Sequence, residues 1–323
     1  KPGVLYIPIK SMNEKHGPGL LKEVLEEFEL VNKQGINVID CTLGQAGHSI
    51  ELFNKIDNGV LFSVDLNNES IQWTAETYDF GIENIESRIE KVEKNLGSKK
   101  WILIQDDFSN IDTVAKENQV EKFDFILADL GYSNFELTQD LGISFKEGSQ
   151  SLDMRYGEKV ESGELKVDSS ASDILNNFSA QELAMILGKY GDVQDAKNVA
   201  RVLVNSRENK LFERVSDLTF ALRKFTDSIK TKVFQALRSF VNKEEERLET
   251  LTKKIKELLS DSGTAVIIAF NHREEEIIKT NLNDLSVKEP NIAEIIQNPQ
   301  SRSAKLYIYK TKRISSKPEE KSA

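Results

Sequence analysis

Four short apolar runs, each closed by an acidic residue, most constrain what this chain can fold into. They occupy residues 37–41, 59–65, 101–105 and 123–130, and the acids at their ends are Asp40, Asp65, Asp106 and Asp129. Segments with helical spacing of apolar residues alternate with them, at 20–30, 49–56, 69–78 and 82–96. This order predicts an α/β fold with a mostly parallel sheet and helices on both faces. Because parallel strands end at one edge of their sheet, we expect the four acids to gather there.

The pattern changes after residue 130. No convincing strand pattern occurs from about 131 to 240, where helical segments cover 172–177, 180–189, 192–205, 215–224 and 231–240. The alternation then resumes with a helix over 243–259, a strand over 263–270, a helix over 273–281 and a final edge strand over 304–310. We therefore predict a sheet domain in two parts, 1–135 and 241–312, interrupted by a mainly helical insertion at 136–240 and followed by a flexible tail at 313–323.

The net charge and its distribution along the chain limit the kinds of nucleic-acid binding that this protein can perform. The 323 residues carry a net charge of −10, which argues against nonspecific coating of nucleic acid. Between Met185 and Arg238, however, 11 Lys or Arg stand against six Asp or Glu, a local net charge of +5 that suits RNA binding confined to one face.

The one cysteine, Cys41, excludes a disulfide framework and is expected in the core, and three dispersed histidines do not support a metal site. No apolar run approaches the roughly 20 residues of a membrane-spanning helix. With no recognisable secretory signal, we expect a cytoplasmic protein if the source is a bacterium, or one of the mitochondrial or plastid matrix if it is a eukaryote.

The loop after the first strand, Asp-Cys-Thr-Leu-Gly-Gln-Ala-Gly-His over residues 40–48, is the sharpest local feature. Gly44 and Gly47 let the backbone bend and approach a ligand closely. Asp65, about 20 residues on, is placed to bind the ribose hydroxyls of an adenosine. The loop does not fit G-x-G-x-x-G, so it suits S-adenosylmethionine better than NAD. A tight strand-to-helix turn with no ligand remains the structural alternative.

Two later strand ends agree with a nucleoside site. Asp106-Asp107-Phe108 follows the third strand, where an acid and an apolar side chain can frame an adenine. Asp129 closes the fourth strand, where a transferred methyl group would meet its acceptor. Each strand-end acid alone is more often a helix cap than a functional group, but four in sheet order are a much rarer coincidence.

Together these segments resemble the 16S ribosomal RNA cytosine-N4 methyltransferases of bacteria and organelles. The similarity runs from His16 to about Lys310. Its most specific parts are Leu-Asp-Met-Arg at 152–155, which resembles the start of the family's Leu-Asp-Met-Arg-Met, and Phe-Gln-Ala-Leu-Arg at 234–238. Further segments that are similar to family motifs lie at 16–24, 40–49, 129–133, 143–146 and 298–305.

The resemblance implies a class I, Rossmann-like methyltransferase fold, S-adenosylmethionine as cofactor and the decoding centre of small-subunit ribosomal RNA as substrate. The helical insertion would recognise the RNA. The cofactor-binding positions that it implies, together with the glycine of the loop, are Gly44, Ala46, Gly47, His48, Asp65, Phe108, Asp129 and Glu136.

The expected chemistry is methyl transfer to a weakly nucleophilic exocyclic amine, which an acceptor for the amine hydrogens would assist. Asp129 is the first candidate for that acceptor and Asn134 the second. Tyr132, Phe135, Arg155 and Arg238 are candidates to hold a base splayed from its stack, and lip packing and an ordinary salt bridge are the alternatives. A DNA amino-methyltransferase would carry two prolines after the fourth strand, and this chain has none there.

The sequence also departs from the family pattern on the acceptor side. Glu136 replaces a glutamine, and Asn67 replaces a second acid after the second strand. In 270–279, the motif's histidine is displaced by one position to His272 and its serine and arginine are lost. These changes leave open a second hypothesis, an inactive homologue that acts as a ribosomal-RNA-binding assembly factor. A bacterial or an organellar source, and a monomer or a homodimer, also stay open.

Overall fold

The computed structural model describes residues 17–31, 34–81, 89–132, 136–137, 139–156 and 169–311. Within these ranges, eight strands form one sheet: β1 (Gln34–Asp40), β2 (Asn58–Asp65), β3 (Lys91–Leu96), β4 (Lys99–Gln105), β5 (Phe123–Asp129), β6 (Leu259–Ala269), β7 (Ser286–Lys288) and β8 (Lys305–Lys310). The first helices are α1 (Leu21–Glu29), α2 (Gly47–Lys55), α3 (Asn68–Thr77) and α4 (Ile111–Glu117). The helices of the predicted insertion are α5 (Ala171–Asn177), α6 (Ala180–Gly191), α7 (Ala196–Arg207), α8 (Val215–Ala221) and α9 (Asp227–Val241). They are followed by α10 (Glu244–Leu258), α11 (His272–Asn281) and α12 (Ile292–Gln297).

The sheet has the order β3-β4-β2-β1-β5-β6-β8-β7 and is parallel at its centre. Strands β4, β2, β1, β5 and β6 pair in parallel, and the three outer pairings are antiparallel. The chain therefore builds the first half of the sheet on one side of β1, with β2, β4 and β3. It then crosses to the other side of β1, where β5 begins the second half. The predicted α/β class with a mostly parallel, Rossmann-like sheet is confirmed.

Two sequence predictions about strands are wrong. The segment Lys91–Leu96, predicted as the end of a helix, is the antiparallel edge strand β3, whose residues alternate between partly buried and exposed. Its dense charge resembles a solvated helix, but Gly97 (φ 63°) and Ser98 form a two-residue hairpin turn into β4. Strand β8 is also not the edge, because the three-residue β7 pairs outside it and is too short to leave a periodic pattern.

Alternate strand residues feed two separate apolar cores, one on each face of the sheet. In β5, Phe125 and Leu127 join the core beneath α1, α2 and α3, whereas Ile126 and Ala128 join the core beneath α4, α10 and α11. This period of two is what a strand buried on both faces requires, and it explains why β5 reads as a continuous apolar run.

The chain forms two compact units. The described residues of Lys1–Asp65, Glu69–Gly131 and Leu248–Ala323 make up the sheet unit. Those of Leu66–Asn68 and Tyr132–Arg247 make up the helical unit, which has an apolar core of its own built on α5 to α9. Its described residues contain no strand, only an isolated bridge between Ser151 and Arg214. None of the helices in the described ranges combines the length and apolar character needed to cross a bilayer.

A buried chain of hydrogen bonds ties three neighbouring strands to α2. The indole Nε1–H of Trp101 on β4 donates to Ser63 Oγ on β2 (2.9 Å), and the Ser63 and Ser49 hydroxyls lie 2.7 Å apart. The Ser49 hydroxyl on α2 in turn donates to Asp40 Oδ2 at the end of β1 (2.6 Å). All four side chains are buried, so removing the acceptor of any of these donors would lower the stability of the fold by the cost of desolvating that donor.

We predict that Ser63→Ala lowers the free energy of unfolding by about 1–3 kcal/mol, because it leaves the buried Trp101 indole N–H without an acceptor. Urea denaturation followed by tryptophan fluorescence measures the effect. Ser228→Ala, on an exposed position of α9, is the matched control and should change stability by less than about 0.5 kcal/mol. Equal stability of the two variants would contradict the role of this chain.

Candidate functional site

The candidate site lies where the chain reverses direction across the sheet. Strand β1 pairs with β2 on one side and with β5 on the other, so the carboxyl ends of β1 and β5 flank the switch point. Crevices at such points are the usual ligand sites of open α/β sheets. The acids that end these two strands are Asp40 and Asp129.

The loop from β1 to α2 has a strained and closely packed backbone. Gly44 (φ 50°) and Ala46 (φ 58°) both adopt the left-handed conformation, which costs a residue with a Cβ about 1–2 kcal/mol. Ala46 is fully buried, and a Cβ added to Gly47 would come within 3.0 Å of the Pro18 ring. The loop is therefore tightly packed, and its backbone continues from Ala46 directly into the first turn of α2.

Asp65 and Phe108 lie at the ends of β2 and β4. The Gly44 N–H donates to Asp65 Oδ2 (2.8 Å), so this carboxylate holds the loop over the end of β2. The Asp106 N–H donates to the Asp65 carbonyl (3.1 Å), which keeps the two strand ends together. Phe108 begins a short 3-10 turn capped by Asp107 and packs, partly exposed, against the core on the α4 face. The sheet thus brings both predicted cofactor residues to the edge where β1 ends.

Asp129 is held at the switch point by its backbone, while its carboxylate has an unsatisfied oxygen. The Asp129 N–H donates to Thr42 Oγ1 (2.7 Å), and the Thr42 N–H donates to Asp40 Oδ1 (3.1 Å). The Asp129 Oδ1 atom is buried and has no hydrogen-bond partner in the described part of the chain. Buried carboxylate oxygens are normally satisfied, so this atom keeps an unused capacity to accept a hydrogen bond.

His48 faces Asp129 as a neutral imidazole. Its side chain is buried, and burial lowers its pKa to about 4. The Nε2 atom lies 3.0 Å from the Gly19 carbonyl, an acceptor, so the proton of the neutral ring sits on Nε2. The unprotonated Nδ1 then lies 3.7 Å from Asp129 Oδ2.

Two further acids act on Asp129. Burial raises the pKa of the Asp129 carboxyl well above its ordinary value, and the charges of Asp40 and Glu274 raise it further. Burial also raises the pKa of Asp40 to about 6, despite its hydrogen bonds from Ser49 and Thr42. The three acids therefore crowd negative charge at the end of the sheet.

Glu274 is positioned by a reciprocal cap at the start of α11. The Glu274 N–H donates to Asn271 Oδ1 (3.0 Å), and Glu274 Oε2 accepts from the N–H groups of Phe270 (2.7 Å) and Asn271 (3.3 Å). The displaced His272 is 67% exposed and lies 3.4 Å from Glu276. The segment that departs from the family pattern thus still delivers an ordered, buried acid.

The remaining predicted site residues belong to the helical unit. The Arg238 guanidinium donates to both carboxylate oxygens of Glu244 (2.8 and 3.2 Å) and lies 4.9 Å from the centroid of the Tyr132 ring, which is 45% exposed. Arg155 donates to both oxygens of Asp153 (2.5 and 2.9 Å), the ordinary salt bridge that was the alternative to its substrate role. Glu136 is partly buried in this unit. His16, Asn134 and Phe135 lie outside the described residues.

Sequence reasoning missed Thr42 and Glu274, although both left a signal. A threonine two residues after a strand-end acid is placed to bridge neighbouring strand ends, and Asn-x-x-Glu at 271–274 is a capping-box spacing. Cys41 is buried as expected, and burial together with Asp40 raises the pKa of its thiol, so it has no nucleophilic character.

Comparison with known proteins gives a consistent result. The sequence model of the MraW methylase family matches residues 13–291. Three curated relatives carry the name ribosomal RNA small subunit methyltransferase H. The protein of Dictyoglomus thermophilum is 31% identical over 91% of this chain and 95% of its own length. That of Fusobacterium nucleatum is 34% identical over 85% and 81%, and that of Thermosipho melanesiensis is 33% identical over 93% and 99%.

We predict that His48→Gln changes how stability depends on pH. The pKa of His48 is about 4 in the folded protein and about 6.5 when exposed, so the unfolded chain binds more protons between these values. Wild-type stability should therefore lose about 3 kcal/mol from this group as the pH falls from 6.5 to 4. The variant should lack this loss in urea titrations at several pH values, and His272→Gln, an exposed control, should retain it. Parallel curves for His48→Gln and wild type would contradict the prediction.

Proposed function

Because the chain belongs to the MraW methylase family, we propose that it transfers a methyl group from S-adenosylmethionine to the exocyclic N4 amine of a cytosine in the decoding centre of small-subunit ribosomal RNA. The observation that carries this proposal is the buried, unsatisfied Oδ1 atom of Asp129 at the switch point of the sheet. A carboxylate oxygen there is suited to accept a hydrogen bond from an amine.

The residues around the switch point fit this cofactor. S-adenosylmethionine supplies an electrophilic methyl group on a positively charged sulfonium. Asp40, Asp129 and Glu274 crowd negative charge that a cation would relieve, as the raised pKa of Asp129 indicates. The tight loop through Gly44, Ala46 and Gly47 would hold the methionine end together with His48, Asp65 the ribose, and Phe108 the adenine. Glu136, of the helical unit, stays a proposed cofactor contact.

Asp129 would do two things for the reaction. Its ionised carboxylate would accept a hydrogen bond from the N4 amine, which localises electron density on the nitrogen and makes it a better nucleophile. It would also take up the proton that the nitrogen loses when the new bond forms. The neutral His48 Nδ1 lies 3.7 Å from Asp129 Oδ2, beyond hydrogen-bond distance, so the proton would stay on the carboxyl group until it passes to solvent. Asn134 remains the second candidate for the acceptor.

The helical unit is the proposed RNA-recognition part. Its helices α6 to α9 carry most of the basic segment with the net charge of +5. Counterion release at such a segment would favour binding to the RNA backbone. Within this unit, Tyr132 and Arg238 are the proposed base contacts. Arg155 would contact the RNA only if its salt bridge with Asp153 were broken.

The alternative of an inactive assembly factor gains no support. The comparisons link the chain to proteins named as methyltransferases, over nearly its whole length. The segment 270–279 was the main argument for that alternative, yet it keeps an ordered capping box that places Glu274 near Asp129.

Partners and location follow from the same proposal. The substrate would be the RNA of the small ribosomal subunit, and the place of action would be the cytoplasm, where the relatives' source organisms assemble ribosomes. A homodimer stays a prediction, which sedimentation of the purified chain would decide.

The function is tested by mapping modified cytidines by mass spectrometry in ribosomal RNA from cells with and without this gene. The proposal expects one N4-methylcytidine in the small-subunit decoding centre to disappear without the gene and to return on incubation of the deficient subunits with purified protein and S-adenosylmethionine. An unchanged modification map would overturn it.

We predict that Asp65→Ala weakens S-adenosylmethionine binding at least tenfold, about 1.4 kcal/mol, because it removes both the ribose acceptor and the Gly44 N–H partner. Isothermal calorimetry measures the affinity. Asp57→Ala, an exposed acid just before the opposite end of β2, is the control and should bind as wild type does. Near-normal affinity of Asp65→Ala would mean that the ribose site lies elsewhere.

We predict that Asp129→Ala lowers kcat about 10²- to 10⁴-fold while the circular dichroism spectrum is unchanged. The wild-type rate should also fall as the pH is lowered through the raised pKa of Asp129, because protonation removes the acceptor. Initial rates of methyl incorporation into unmodified subunits across pH 5–9 test both points, with Asp112→Asn, on the exposed side of α4, as control. Retained activity would remove Asp129 from the mechanism.

A further inference from the structure

One aromatic side chain of the helical unit lies in solvent on the outer face of α8. Val215, Leu218 and Ala221 form the inner face of this helix and join the core of the unit. Phe220 lies on the other face and is 67% exposed, so the packing of the unit gains little from its ring. Single exposed apolar residues are ordinary on protein surfaces, but this one is distinguished by its neighbours.

The guanidinium of Arg223 covers one face of the Phe220 ring. Its Cζ atom lies 4.2 Å from the ring centroid. Arg223 Nη1 donates to the Phe220 carbonyl (2.8 Å), and the Arg223 backbone N–H donates to the same oxygen (3.2 Å). Carbonyls at the end of a helix carry partial negative charge and so favour a cation there. The guanidinium is therefore fixed in place, and the opposite face of the ring stays open to solvent.

The charge of Arg223 is not neutralised within the described part of the chain. Its guanidinium has five N–H donors, of which Nη1 bonds a carbonyl, and it makes no ion pair with an acid among these residues. In the other arginine–aromatic pair of the described residues, Arg238 on Tyr132, the carboxylate of Glu244 neutralises the guanidinium through two hydrogen bonds. The pair on α8 thus combines an open aromatic face with a full positive charge and unused donors.

The same unit presents further cations without partners. Lys224, next to Arg223, is exposed, and so are Lys197 and Arg201, one turn apart on α7. None of these three has a hydrogen-bond or ion-pair partner in the ranges that the structure describes. Their charges are therefore free to attract an anion.

Two acids close to the pair in the sequence are already bound. Asp217 accepts a hydrogen bond from Lys210 (2.6 Å), and Asp227 accepts one from Lys230 (2.9 Å). These carboxylates are neutralised by their own lysines, so they do not cancel the charge of Arg223. The surface around the open ring is therefore complementary to a polyanion.

We propose that Phe220 and Arg223 bind an unpaired nucleotide of the RNA substrate, with its base stacked on the open face of Phe220 and its phosphate held by Arg223 and Lys224. Exposed aromatic rings beside basic side chains are the combination with which proteins bind unpaired nucleotides. An acidic protein surface would match the positive charge but not the open ring face. The identity of the ligand as RNA rests on the proposed function, whereas the stacking site rests on the geometry of the pair.

The test uses the full chain and unmodified small subunits from cells that lack this gene. We expect Phe220→Leu to weaken filter binding of the subunits about tenfold, because leucine keeps the apolar character but has no ring to stack on a base. A similar loss is expected with deproteinised small-subunit RNA. Phe220→Trp should bind at least as tightly as wild type. The KM for S-adenosylmethionine and the melting temperature should not change, because the ring lies outside the core.

Arg223→Gln separates the phosphate contact from the stacking contact. It should reduce the slope of log K against log salt concentration by about 0.7, the value for one phosphate of a single strand. Phe220→Leu should leave this slope unchanged, because it removes no charge. An unchanged slope in Arg223→Gln would remove the phosphate contact from the proposal.

Leu30→Ala is the matched control, because Leu30 is 71% exposed and belongs to the sheet unit. It should bind subunits as wild type does. An affinity of Phe220→Leu within twofold of wild type would overturn the proposal. Lost binding to subunits with unchanged binding to deproteinised RNA would also overturn it, since the partner would then be a ribosomal protein.

Sedimentation of the purified chain adds a further check. A wild-type dimer that Phe220→Leu dissociates would assign this face to a second copy of the chain and overturn the proposal. If wild type binds the RNA but transfers no methyl group, the proposed function fails, and the affinity of Phe220→Leu still decides the contact.

Discussion

The carboxylate of Asp40 is the interaction on which the sheet unit depends. It is fully enclosed at the end of β1, and it accepts hydrogen bonds from the Ser49 hydroxyl of α2 and from the backbone of Thr42. Ser49 extends the contact to Ser63 and Trp101, and Thr42 extends it to Asp129. One buried acid thereby joins four neighbouring strands to the loop between β1 and α2. Its desolvation is costly, and these hydrogen bonds offset part of the cost.

The same burial prepares the site for a cation. Burial and the charges of Asp40 and Glu274 raise the pKa of Asp129 at the end of the sheet, and the nearby His48 is neutral, so it supplies no compensating charge. A positively charged sulfonium would be stabilised there, and the neutral thioether left after methyl transfer would not be. These charges would therefore favour binding of the cofactor over retention of its product at the proposed site.

Much of the fold was predictable because β-strands buried on both faces leave uninterrupted apolar runs. The runs ending at Asp40, Asp65 and Asp129 each became a parallel strand with the acid at its carboxyl end. Prediction failed where the local residue pattern favours one structure and pairing with a neighbouring strand imposes another. The charged segment Lys91–Leu96 became a strand because β4 offered it a hairpin partner, and β8 became internal because three residues of β7 pair with it.

The sequence by itself determined the order of strands and helices, the acids at the strand ends and the motifs of the resembled family, because these depend on residue type and spacing. Only the tertiary structure decided which groups remain unsatisfied. It left Asp129 Oδ1 and the Tyr156 hydroxyl without partners in the described chain, yet it paired Arg155 with Asp153 and Arg238 with Glu244. Hydrogen bonding and desolvation are set by neighbours that lie far apart in the sequence, so no local pattern encodes them.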